Sequence, residues 1–244
     1  ATVLGVTNVM GSSLTRLSTV YIGQNSGPEI GVAATKTFTA QLTVLLRLAM
    51  KVGLRTGTLS QESYEGLSER LLAMPDYAAK VLETVDERVK LLASKYADRQ
   101  SFCFLGRGIS SATAMEGRLK LLEIAYIPCL AYPAGESKHG FIAVVEKGYP
   151  TVFVAPNDST RTKIIGNIME MKAREASVIS LIEEGDREIA EFSDDYLEMP
   201  KGIPEMFTPL IYVIPLQLLA YYISVYRGYD PDKPRNLAKS VTVQ

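Results

Sequence analysis

Five side chains in this sequence have the types and spacing for proton transfer or carbonyl chemistry. They are Glu116, Lys120 and Glu123, the single histidine His139, and Lys239 near the carboxyl terminus. Glu116, Lys120 and Glu123 are spaced by four and three residues. At 100° per residue they fall within roughly 60° of one another and project from one helix face. Two readings stay open for them. One is a pair of solvated ion pairs worth about 0.3–0.5 kcal/mol each. The other is a cleft in which one carboxylate is pushed up in pKa while the second stays ionised, a pattern suited to moving protons.

His139 lies in the segment Gly135-Glu136-Ser137-Lys138-His139-Gly140, a turn between strands. Imidazole moves protons near neutrality, but a loop histidine can equally be a plain solvated side chain. The tail from Asp232 to Val243 carries Lys233, Arg235 and Lys239, with small residues, Ala238 and Ser240, flanking the last lysine. A solvated basic end is one reading. The other lays the tail into a pocket, with Lys233 and Arg235 lowering the pKa of Lys239 so that its amine attacks a carbonyl. Gly106-Arg107-Gly108 follows a strand and could turn backbone N–H groups toward an anion. Pro156-Asn157-Asp158-Ser159-Thr160 reads as a helix cap, because Asp158 has the wrong charge for phosphate. No metal site and no cofactor are expected: there is one histidine, and Cys103 and Cys129 read as buried reduced thiols.

The elements that must position these residues follow from the hydrophobic pattern. The chain has 244 residues, 47% apolar and 22% charged, as a soluble globular protein rather than a disordered or fibrous one would. A net charge of −1 gives no basic surplus for a nucleic acid. The run from Ile211 to Val225 is too short to span a bilayer and holds Pro215 and Gln217, so it reads as a buried helix rather than a membrane segment. The opening does not read as a signal peptide, and a cytoplasmic protein is expected. Short buried strands near residues 2–8, 20–22, 102–105, 129–132, 151–155, 178–181 and 196–199 alternate with helices. They predict parallel sheets between helical layers, a three-layer αβα architecture. Helices are expected over residues 35–52, from Ser60 to a stop at Pro75, 76–96, 110–125, 160–175 and 207–226. Glu183-Glu184-Gly185-Asp186 reads as a solvated loop. The expected division is residues 1–53, a helical connector over 54–98, a complete unit over 99–226 and a tail over 227–244.

An internal repeat sharpens that division. Residues 1–6 match 176–181 and residues 18–22 match 193–197, at an offset of 175. On that register the chain opens at the fourth strand of its first unit, and the expectation is a fragment whose front is missing.

Together the segments resemble the isomerase region of the glutamine–fructose-6-phosphate amidotransferase family. The motifs that carry the resemblance run from Asn8 to Leu14, from Gly27 to Lys36, from Leu105 to Gly108, from Glu116 to Tyr126, from Ala134 to Gly140 and from Pro234 to Val243. The resemblance implies two sugar-isomerase (SIS) domains, only the second complete here, and conversion of fructose 6-phosphate and ammonia to glucosamine 6-phosphate. It implies Lys239 as the Schiff-base lysine, Glu123 as the base moving a proton between the first two sugar carbons, and His139 as the ring-opening group. Glu116 and Lys120 match supporting positions, and Val32 and Ala238 match positions that contact the sugar. The family's histidine comes from a neighbouring subunit, so a homodimer is implied. Ala34 stands where serine is common and Leu122 where lysine is common. The Ser/Thr-rich loop for the sugar phosphate would precede Ala1, and the glutaminase domain is absent, so the chain alone is expected to be weak or inactive. A non-catalytic sugar-phosphate-binding module and an SIS-type deaminase share the expected fold.

Overall fold

The computed structural model describes residues 1–239, so Ser240, Val241, Thr242 and Val243 of the tail motif lie outside the described residues. The chain forms two compact units: Ala1–Ala73 with Ala238 and Lys239, and Met74–Leu237.

The larger unit is built on a five-stranded sheet. Its strands are β3 (Phe102–Gly106), β4 (Cys129–Pro133), β5 (Pro150–Ala155), β6 (Ser177–Glu183) and β7 (Asp195–Met199), ordered β4-β3-β5-β6-β7 and all parallel. Strand β5 is buried along its whole length, as a strand covered on both faces must be. Alternate side chains serve the two faces. Phe102 meets Tyr96 of α4 (Met74–Tyr96) edge-on. Cys103 and Leu105 join a core with Ile164, Ile168 and Met171 of α6 (Arg161–Lys172). Helices α5 (Ser110–Ala125) and α8 (Thr208–Tyr226) pack on each other and α8 packs on α4, which completes the three layers.

Three local expectations are corrected. Pro75 does not end a helix; it sits in the first turn of α4, where a missing N–H costs nothing. The acidic run is not simply solvated, because Asp186 caps the short helix α7 (Arg187–Phe192) and takes a bidentate pair of hydrogen bonds from Arg161 at 2.8 and 2.7 Å. The apolar helical segment Glu205–Tyr226 spans 22 residues, so length does not exclude a membrane span. Burial explains its apolar character instead: Leu210, Ile211, Val213, Leu216, Leu219, Ala220 and Ile223 are all enclosed in this unit. The thiols of Cys103 and Cys129 are buried and form no disulfide, and burial pushes that of Cys129 up to about 12.

The smaller unit repeats the closing part of that sheet. Strands β1 (Leu4–Thr7) and β2 (Val20–Gly23) are parallel and flank α1 (Ser13–Leu17), followed by α2 (Lys36–Thr56) and α3 (Gln61–Leu72). Leu4 pairs with Val20 as Ile179 pairs with Asp195, so the 175-residue offset holds strand for strand and in register. Even the capping recurs, with Ser12 accepting the Thr15 N–H and Asp186 the Ile189 N–H.

Candidate active site

The first group of candidate residues stands on α5. This helix leaves β3 through Gly106, where a Cβ would lie 2.3 Å from the Ser110 carbonyl oxygen, so only glycine fits the turn. It is pinned along its length at Gly117, where a Cβ would meet the Leu216 side chain of α8 at 2.7 Å. It ends at Tyr126, whose positive φ of 56° closes the last turn. Between these points Lys120 Nζ lies 3.3 Å from Glu116 Oε1 and 2.8 Å from Glu123 Oε2.

This cluster is enclosed. Lys120 is 3% exposed, and the side chains of Glu116 and Glu123 are 11% and 23% exposed. Solvated ion pairs do not look like this: the charges have given up water and are held by each other. Burial pushes the Glu116 carboxyl above the usual carboxylate range; Lys120 opposes the rise and the like charge of Glu123 adds to it. Glu123 Oε2 meets Lys120 as an ion pair at 2.8 Å but outside hydrogen-bond geometry. A carboxyl whose charged form is disfavoured by burial, standing on one helix face with a second carboxylate, is suited to taking a proton from carbon or oxygen and returning it.

The second group lies in the smaller unit. Asn8 receives the Ser26 N–H at 3.0 Å and donates to the Gly27 carbonyl at 2.7 Å, which fixes the start of the loop leading to α2. In that loop Glu29 takes the place of a local cap on α2. Its Oε1 accepts the N–H groups of Thr35 and Thr37 at 2.9 and 3.4 Å and the Thr35 hydroxyl at 3.3 Å, while its Oε2 accepts the Thr37 hydroxyl. Lys239 Nζ donates to Glu29 Oε2 at 2.7 Å, to the Gly31 carbonyl at 2.9 Å and to the Val32 carbonyl at 3.3 Å. The sequence led us to expect cations beside Lys239; the partners found are a carboxylate and two carbonyls. Val32 therefore touches Lys239 through its backbone, and Ala34 lies in the same loop. Ala238 is exposed.

His139 ends a 3-10 turn, Ala134–His139, and is exposed. The turn itself is anchored: Ser137 is buried and donates to the Ala134 carbonyl, and Lys138 pairs with Glu170 at 2.6 Å. The structure thus brings Glu116, Lys120 and Glu123 together and gathers Lys239 with Val32, while His139 stands apart from the α5 cluster's ion pairs. Glu29 and Tyr126 carry no signal of their own in the sequence. Glu29 lies six residues before the first N–H it caps, outside the short spacing of a capping box. Tyr126 accepts the Arg235 N–H at 2.7 Å, and the Arg235 guanidinium lies 4.3 Å from its ring centroid, so the end of α5 holds the start of the tail.

A family model described as the SIS domain matches residues 95–227. The glutamine–fructose-6-phosphate aminotransferase (isomerizing) of Thermococcus kodakarensis is 48% identical over 245 residues, covering all of this chain and 40% of that protein. Its namesake from Thermotoga maritima is 44% identical, again covering all of this chain and 40% of that protein. The chain therefore spans about 40% of the length of the curated relatives it matches. Among solved structures, the C-terminal domain of glucosamine-fructose-6-phosphate aminotransferase from Francisella tularensis superposes with a TM-score of 0.90 at 35% identity, covering 95% of this chain and 65% of that one. A glucosamine-6-phosphate deaminase from Thermotoga maritima superposes at 0.73 with 23% identity, covering 98% of this chain and 66% of that one, which is a likeness of fold alone.

Proposed function

The chain belongs to the SIS domain family, and from that premise we propose that it is the isomerase region of a glutamine–fructose-6-phosphate aminotransferase. On this reading residues 1–53 and 99–226 belong to two SIS domains, 54–98 connect them, and 227–244 form the catalytic tail. The reaction converts fructose 6-phosphate and ammonia to glucosamine 6-phosphate. Lys239, as a free amine, adds to the C2 carbonyl and expels water to give an imine. Ammonia then displaces the lysine nitrogen, so the amino group of the product stays on C2. Glu123 takes a proton from C1 and returns it to C2, while the C1 hydroxyl becomes the aldehyde as its proton passes to the imine nitrogen, which becomes the amine. Lys120 and Glu116 support that carboxylate, Val32, Ala34 and Ala238 line the sugar's side, and His139 opens the ring from a second copy of the chain in a homodimer. The observation that carries the reading is the enclosed Glu116–Lys120–Glu123 cluster, one buried ammonium between two carboxylates. A module that only binds sugar phosphate has no need of a buried cation between two carboxylates.

The test is borohydride trapping. The protein, and the same sequence extended to the length of its relatives, are incubated with fructose 6-phosphate, reduced, and weighed intact. The extended protein should gain one sugar on Lys239, and Lys239→Arg should gain none. Binding of fructose 6-phosphate with no adduct in the extended protein would leave the binding-module reading and remove Lys239 as the reacting group.

A further inference from the structure

Lys239 has as many acceptors as its ammonium has protons, and the strongest of them is itself immobilised. Glu29 is 7% exposed at its side chain, and both of its oxygens are occupied by the first turn of α2. The positive end of a helix favours a carboxylate there. Burial, the largest influence, works against ionisation of Glu29, but the hydrogen bonds from Lys239, Thr37 and Thr35 outweigh it and bring the carboxyl down to about 2. A carboxylate that acidic is no base for an ammonium proton, so its part is to hold rather than to accept. The other cation on this turn, Lys36, is turned away to the Pro28 carbonyl at 2.7 Å.

We propose that Glu29 is the positioning residue of Lys239: fixed by α2, it holds the lysine nitrogen against the Gly31 and Val32 carbonyls, a bonded position that the amine leaves when it attacks a carbonyl carbon. The proposal deepens the reading of Lys239 as the reacting amine and rests on it. Three acceptors match three protons. A neutral amine brings only two donors, so loss of one proton frees Nζ from one acceptor while Glu29 still fixes where it stands.

Competitive acetylation tests this without any sugar. The full chain is treated with limiting acetic anhydride at pH 8, and peptide masses give the rates at Lys239, Lys36 and the exposed Lys233. In the wild type Lys239 should react more slowly than Lys233. In Glu29→Gln it should quicken by about threefold to tenfold, as expected for a charge-assisted contact at a part-exposed group, with Lys36 unchanged. Lys239 reacting as fast as Lys233 in the wild type overturns the proposal, and that comparison stands even if Glu29→Gln fails to fold. No change at Lys239 in the variant, or Lys239 and Lys36 quickening together as the turn loosens, also overturns it. If fructose 6-phosphate never marks Lys239, its reacting role falls while these rates stay as they are, so the two failures are distinguishable.

Discussion

Replacing Lys120 by methionine removes the charge from the α5 cluster while keeping an unbranched stem of similar length. Glu116 Oε1 and Glu123 Oε2 both contact one nitrogen, at 3.3 and 2.8 Å, so they lie no more than about 6 Å apart. Two like charges at that distance repel by about 3 kcal/mol at an effective dielectric constant near 20. Breaking a buried pair from one side costs about 3–5 kcal/mol, and the partial exposure of Glu123 argues for the lower end, about 3 kcal/mol. That is a large share of the 5–15 kcal/mol that stabilises a typical domain. The sign with pH follows from Glu116. Burial already raises it above its ordinary value of 4.5, and Lys120 is the group that opposes the rise. A carboxyl whose folded pKa is raised destabilises the fold at pH above that value, and the penalty disappears as pH falls below the unfolded value. The deficit of Lys120→Met against wild type should therefore be full at pH 8 and much reduced at pH 4. Urea unfolding followed by far-ultraviolet circular dichroism measures both differences, and comparison within each pH cancels every other titration. An equal deficit at the two pH values, or no deficit at pH 8, would refute the account of the cluster as buried charges held by Lys120.

Two further outcomes are expected. Glu29 has the opposite sign: its folded value of about 2 lies below its ordinary 4.5, so its contribution is present above pH 4.5 and is lost as pH falls toward 2. The shift corresponds to about 3 kcal/mol at most, which the 41% exposure of the Lys239 side chain reduces to roughly 1–2 kcal/mol. Glu29→Gln should flatten that acid limb of the urea midpoint, and an unchanged limb would count against it. Tyr126→Phe keeps the ring beneath Arg235 but removes the acceptor of its N–H, a loss of about 1 kcal/mol. Hydrogen exchange at the Arg235 amide should then quicken by about fivefold; exchange at the wild-type rate would show that Tyr126 does not hold the tail.

The alternation of short apolar strands and helices, and hence parallel sheets between helical layers, is written in the hydrophobic pattern. Ser110 and Ala125 were legible as the ends of α5, which a glycine turn opens and a strand-like run follows. The repeat was legible too, since cores of one architecture reuse the same apolar spacing, and the register Leu4–Val20 against Ile179–Asp195 carries it into the hydrogen bonds. Spacing alone put Glu116, Lys120 and Glu123 on one face. Only tertiary structure decided that this face is enclosed, because α5 is amphipathic in no obvious way and its burial depends on α8 packing at Gly117. The partners of Lys239 were likewise hidden. Charge near in sequence suggested Lys233 and Arg235, whereas the lysine is held by Glu29, 210 residues away along the chain. Hydrogen bonds and ion pairs act over a few ångströms of space, and sequence distance does not measure that.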